Sequence, residues 1–416
     1  VYVVAGLLDT YANPLGRLLH SLPGPVNGLL GCWAHTYPDT AIANGVDWLP
    51  EELRWWRRWL LDEQSCDADE AVIWCFVPEA PPVKTLPATV PGHWQAEDLW
   101  PPIERSVQVF FLSPGELHCD PAGEPGSIEY VSRGRPGSGR VDWLDTLPTE
   151  QSADDALART FDSEPLAQPL TLLGQVRVHL VLQIDTPAAG IWVRLNELDE
   201  HGSSWPVCHF VGSLNRLLDD REPQPFSTAG EYEFEIPLTF CAHRFAARSR
   251  LRLALSDAPW PMTLPLPPTR WRCDLSRARM IVPLAPAAGS DHTLPFTLRS
   301  GSDPEPKRPD WQERADGSVR VKHVPSRYDY QDREVGTRLS GHTEGVSEVR
   351  ADGVTVYTQT SSRGWRRGDW DCQLDCGCRL EATAAQIQIT EWLEASANGE
   401  IIFRREHRNR LPRELL

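Results

Sequence analysis

No run of ~18 apolar residues, the length a helix needs to cross a bilayer, occurs anywhere in the 416 residues. Nor is there a charged leader followed by an apolar core, so no secretory signal is legible and a cytoplasmic protein is the expectation. Positive charge is scarce: 41 Lys and Arg stand against 58 Asp and Glu, a formal net charge of −17. A phosphate backbone demands a concentrated basic surface, which argues against a nucleic-acid partner. Anionic membrane surfaces are disfavoured on the same ground. The one dense basic stretch, Arg404 to Arg410, is broken by Glu406 and reads as a solvated strand end or tail. Metal-ligand spacing is missing too, with no His-x-x-x-His and no Cys-x-x-Cys, so no metal and no cofactor are expected. No internal repeat of solenoid length is present. Most consequential, no Gly-x-Ser-x-Gly occurs, and that pattern seats a serine on the strained turn of a nucleophile elbow.

The ten cysteines are scattered through a chain large enough not to need disulfides, which favours reduced thiols. Cys372, Cys376 and Cys378 form the only cluster. They share one parity with Trp370, Leu374 and Leu380, while Asp371, Gln373, Asp375 and Arg379 take the other. That alternation describes a half-buried strand with small thiols on its apolar side, not a metal site.

What is present begins with Val1 to Leu8, an apolar run of strand length that ends at Asp9. A second short run, Gly28 to Ala34, ends at His35. In open α/β sheets, reactive groups sit beyond the carboxyl ends of strands. Asp9 and His35 are thus candidate acid and base, 26 residues apart. A chain whose first residue already belongs to such a strand is expected to be part of a longer polypeptide. A helix is predicted from Pro50, with Glu51 and Glu52 at its positive end and a core-facing stripe of Leu49, Leu53, Trp56 and Leu60 widened by Trp55 and Trp59.

Gly6-Leu7-Leu8-Asp9-Thr10-Tyr11, Gly31 to Pro38 and Glu51 to Leu60 together resemble the CocE/NonD hydrolase family, which includes X-Pro dipeptidyl-peptidases and α-amino-acid ester hydrolases. The resemblance continues through Gly92-His93-Trp94, Trp100, Phe110 to Gly115, Gly174 to Thr186 and Ala242 to Phe245, covering about residues 1–285. It departs from the family at Leu7 and Cys32, where tryptophan and a Gly-Pro-Trp sequence are usual. By this resemblance Asp9 is the orienting acid of a Ser-His-Asp triad and His35 its general base. The family orders the nucleophile first, so the serine and oxyanion donors would lie ahead of residue 1. His243 would be a structural residue of the β domain, bonded to nearby backbone.

Beyond residue 71 the apolar period becomes two. Val176 to Ile184, Ile191 to Leu195, Tyr232 to Leu238 and Leu251 to Leu255 alternate with polar neighbours, the pattern of antiparallel sheets with one wet face. The expected fold is mainly β: the C-terminal piece of an α/β-hydrolase domain (1–66), a jelly-roll β-sandwich (67–285) and a further antiparallel β unit (286–416). Asp352-Gly353 and Asn398-Gly399 are predicted two-residue hairpin turns in the last unit. His20 next to Ser21 reads as surface loop, and Asp39 as either a neighbour of His35 or a turn residue. The function implied is acyl transfer to water from a small ester, amide or peptide substrate, with the chain inactive alone for want of its serine. The rival is a non-catalytic jelly-roll module that binds carbohydrate or a partner.

Overall fold

The structure is a computed structural model that describes residues 1–41, 44–61, 72–79, 89–100, 106–121, 126–132, 150–257, 263, 269–285, 294, 296–299 and 310–413. It contains two compact units, one within residues 1–306 and the other made chiefly of 307–416. Strands dominate both, giving a mainly β protein.

The first unit opens with strand β1 (Tyr2–Gly6), helix α1 (Pro14–Ser21), strand β2 (Asn27–Gly31), the short β3 (Gly45–Val46), helix α2 (Leu49–Leu60) and strands β4 (Ile73–Pro78) and β5 (Gly92–Glu97). A four-stranded sheet runs β1-β2-β4-β5, with β1, β2 and β4 parallel and β5 antiparallel at one side. It therefore extends past residue 66 to Glu97, because β4 finds its partner in β2. Between β1 and β2, where a loop is expected, the chain forms α1. Pro14 supplies the helical φ at the first position, and Leu15 and Leu19, one turn apart, are buried against Ala5, Leu30 and Ile73.

Helix α2 starts one residue earlier than predicted, and it presents the opposite face. Leu49, Leu53, Trp56 and Leu60 are exposed, whereas Glu51 and Trp55 are buried. Tyr2 of β1 sets the buried side, its ring 5.2 Å from that of Trp55. Glu51 is tolerated there because Arg54 donates two hydrogen bonds to its carboxylate, at 2.6 and 2.7 Å. The apolar stripe is real, but nothing among the described residues covers it.

The larger body of the unit comprises β6 (Val107–Ser113), β7 (Glu116–His118), β8 (Ser127–Val131), β9 (Arg159–Ser163), β10 (Leu170–Ile184), β11 (Gly190–Leu198), β12 (Ser204–Ser213), β13 (Glu231–Phe245), β14 (Arg250–Ser256), β15 (Arg270–Asp274) and β16 (Arg279–Pro283). The described order is β12-β11-β14-β9-β7-β6-β16-β10-β15-β8, with β13 also on β10. All pairings are antiparallel except β7 with β9. The alternating apolar positions converge in one core, in which Val178, Leu180, Ile191, Val193, Ile236, Leu253 and Trp271 are fully buried.

Strand β11 departs from the expectation of a wet face, since all nine of its residues are buried. Its polar positions survive by pairing. Arg194 donates to Asp155 at 3.0 Å and to Gln151 at 3.1 Å, and its guanidinium lies 4.2 Å from the centroid of the Trp192 ring. Arg252 grips Asp162 through two 2.7 Å bonds and reaches Asp155 at 3.1 Å. The short strand β17 (Leu298–Arg299) pairs with β3, and Phe296 packs on Trp48, Trp74 and Trp94, so this stretch past residue 286 belongs to the first unit.

The second unit is an antiparallel sheet of β18 (Asp310–Glu313), β19 (Val319–Lys322), β20 (Ser326–Asp332), β21 (Thr337–Val349), β22 (Thr355–Arg367), β23 (Trp370–Ala382), β24 (Gln386–Ala397) and β25 (Glu400–Pro412). Cys372, Cys376 and Cys378 fall on one face of β23, partly buried beside Leu374 and Leu380. Asn398 and Gly399, at φ 51° and 80°, close the predicted two-residue turn between β24 and β25. Asp352-Gly353 instead lies in a longer connection. Arg350 and Val354 still bond across it, and Gly353 takes the left-handed position.

Candidate active site

The site is assembled by the carboxyl ends of β1 and β2. Both strands end in glycine, and the indole of Trp33 lies over both. A Cβ at Gly6 would stand 2.1 Å from the Trp33 carbonyl oxygen, and one at Gly31 would stand 1.8 Å from the Trp33 ring. Only hydrogen fits at either position. The two loops are then tied together by Leu7 N–H donating to the Gly31 carbonyl at 2.8 Å and Leu8 N–H donating to the Trp33 carbonyl at 3.0 Å.

This lacing brings the two candidate residues together. His35 Nδ1 lies 3.1 Å from Asp9 Oδ2. The other carboxylate oxygen, Oδ1, accepts from the Tyr11 backbone N–H at 3.0 Å and caps a single 3-10 turn over Thr10–Ala12. Asp9 is thus held by its own chain while it holds the imidazole. Its side chain is 13% exposed, against 54% for His35. With Nδ1 engaged as donor, Nε2 is the nitrogen left to accept a proton, and the ring stands open to solvent. The Tyr11 ring lies 5.4 Å from the imidazole, a neighbour that motif reading passed over although it stands two residues after Asp9.

Other candidates are placed elsewhere. Asp39 lies in a 3-10 turn over Pro38–Thr40, where its backbone carbonyl accepts from Arg299; it makes no contact with His35 among the described residues. His20 and Ser21 end helix α1. Cys32, between the two loops, is buried, which pushes its thiol up to about 12 and keeps it protonated and non-nucleophilic. His243 is bonded to a side chain, not to backbone as expected: its Nε2 lies 2.7 Å from Glu197 Oε2, and both side chains are buried. Glu197 also accepts from the Ala246 N–H at 2.9 Å. Burial alone would raise its carboxyl, but these bonds hold it below the usual carboxylate range.

Residues 76–282 match the X-Pro dipeptidyl-peptidase C-terminal non-catalytic domain. The chain therefore carries that domain, which supports the CocE/NonD hydrolase family its motifs resemble. A Staphylococcus aureus CocE/NonD family hydrolase shares the fold at a TM-score of 0.50 and 11% identity, with 68% of this chain and 54% of that one covered. An aminopeptidase from a marine sediment Thaumarchaeota archaeon does so at a TM-score of 0.55 and 19% identity, with the same coverage. At such identities the likeness is one of fold alone. Two relatives from Mycobacterium bovis and Mycobacterium tuberculosis, each provisionally named a serine esterase, are 28% identical over 204 residues. The match takes in 43% of this chain and 32% of each relative, so the chain spans about a third of their length.

Proposed function

We propose that Asp9 and His35 are the acid and general base of a serine hydrolase whose nucleophile is supplied by polypeptide outside these 416 residues. The observation that carries this reading is the 3.1 Å contact between a carboxylate and an imidazole delivered by neighbouring parallel strand ends. The carboxylate fixes the tautomer with a proton on Nδ1, leaving Nε2 to take the serine proton and pass it to the leaving group. It also stabilises the imidazolium formed at that moment, at no cost in rearrangement, because Oδ1 is already anchored on Tyr11 N–H. The reaction is acyl transfer to water from an ester or amide.

Two surfaces support the view that the catalytic domain is completed by further polypeptide. Strand β1 is the free edge of its sheet among the described residues. Beside it, α2 exposes Leu49, Leu53, Trp56 and Leu60, apolar area that an added layer would remove from water.

The 416-residue chain is therefore expected to be inert to a fluorophosphonate probe. The same chain joined to a Gly-x-Ser-x-Gly segment of its own gene is expected to be labelled at one serine. In that longer protein, Asp9→Asn should lower kcat by about 10⁴ and His35→Gln by about 10⁶, with KM little changed. Stoichiometric labelling of the 416-residue chain alone, or activity that survives His35→Gln, would overturn the reading.

A further inference from the structure

We propose that a cleft walled by helix α1 and strands β10 and β13 binds a small monocarboxylate that carries an apolar body about the size of one ring. The cavity holds about 270 Å³ and lies away from the Asp9–His35 pair's own contacts. That is the low end of small-molecule sites, so the ligand must be small.

Its walls have two characters. Trp100 and Phe240 form an apolar corner, their rings 5.1 Å apart and steeply inclined. Gly16 brings the α1 backbone against the Phe240 ring, where even a Cβ would stand 2.8 Å from a ring carbon. Arg17 and Arg177 also line the cavity, joined by His20 and Ser21 from the last turn of α1. Among the described residues no Asp or Glu lines the cavity, in a chain whose acids outnumber its bases 58 to 41.

Two of the donors are uncommitted among the described residues. Arg17 makes no hydrogen bond or ion pair among the described residues. Asn13 accepts the Phe240 N–H at 3.0 Å through Oδ1, which leaves its amide NH2 without a partner among them. Gln175 and Arg177, two residues apart on one face of β10, both line the cavity, and the β10–β13 register shifts between them.

Charge sets the class of anion. Arg177 is already bonded to Glu235 at 2.9 Å, so with histidine counted as neutral the site offers one unmatched positive charge, on Arg17. One charge suits a monoanion, and a planar guanidinium suits a carboxylate. The adjoining rings suit an aromatic or branched apolar group more than a bare ion.

Phenylacetate titrated into the 416-residue chain by calorimetry tests this, with phenylacetamide as the uncharged match in shape. Saturable binding of phenylacetate is expected, at least about ten-fold weaker for phenylacetamide and for Arg17→Gln, with Arg17→Lys recovering part of the loss. Arg17 is exposed, so unchanged thermal melting of the variant separates lost binding from lost folding. His35→Gln should leave this binding untouched, which keeps the test separate from the triad. Absence of saturable binding, equal affinity for acid and amide, indifference to Arg17→Gln, or stronger binding of inorganic phosphate would each overturn the proposal.

Discussion

His209 and Arg194 show what burying charge on strand β11 and its neighbour costs. Burial, with Arg194 nearby, pulls the His209 imidazole down to about 4 from its usual 6.5. The unfolded chain then binds a proton below pH 6.5 that the folded chain refuses until about pH 4. Stability is therefore full above pH 6.5 and is lost as the pH falls through that window, by about 3 kcal/mol once both limits are passed. Urea denaturation at pH 7 and pH 4 should show this loss, and His209→Gln should flatten it. The buried Glu197–His243 pair makes the opposite demonstration. Glu197→Ala strands an imidazole and the Ala246 N–H in the interior, and is expected to cost about 3–5 kcal/mol in denaturant melts.

At the scale of elements, α2 is the feature with the clearest solution consequence. Its exposed Leu53 and Trp56 lie one turn apart, on a helix packed by Trp55 against β1, the edge strand of its sheet among the described residues. The isolated chain should self-associate through this region, and Leu53→Glu with Trp56→Glu should weaken association at least about ten-fold in sedimentation equilibrium. The helix also marks the limit of what its own residues reveal. Period 3.6 locates an apolar stripe correctly, yet it cannot say which side meets the sheet. That depends on Tyr2, 53 positions before Trp55, and on the Arg54–Glu51 bond that makes a buried acid tolerable. Period two was the better guide: β10, β13, β14 and β23 stand where alternation puts them. The encounter of Asp9 with His35 was readable because both end short apolar runs, and parallel neighbours place such ends together. Helix α1 was hidden by its brevity and its Gly16, and Glu197 as partner of His243 by a separation of 46 positions.

The whole molecule divides its apolar residues unevenly. Every large core cluster among the described residues lies in the first unit, around β10, β11 and β13 or around the small parallel sheet. In the second unit, strands of 12 or 13 residues hold one another by backbone bonds while most of their side chains remain partly or wholly accessible. Hydrogen exchange should separate the two. Amides at the centre of β22 to β24 are expected to exchange well before those of β10 and β11, since local opening there exposes less apolar surface. Equal protection in both units would refute that ordering.

The paired glycines under Trp33 give the protein a way to be switched off at a distance from its reactive groups. A single methyl at residue 6 or 31 would act as a wedge, prising the two loops apart and separating acid from base although neither side chain is altered. Gly6→Ala is thus expected to mimic the loss of Asp9, leaving a histidine whose tautomer nothing selects, and a crystal structure of that variant would show the gap.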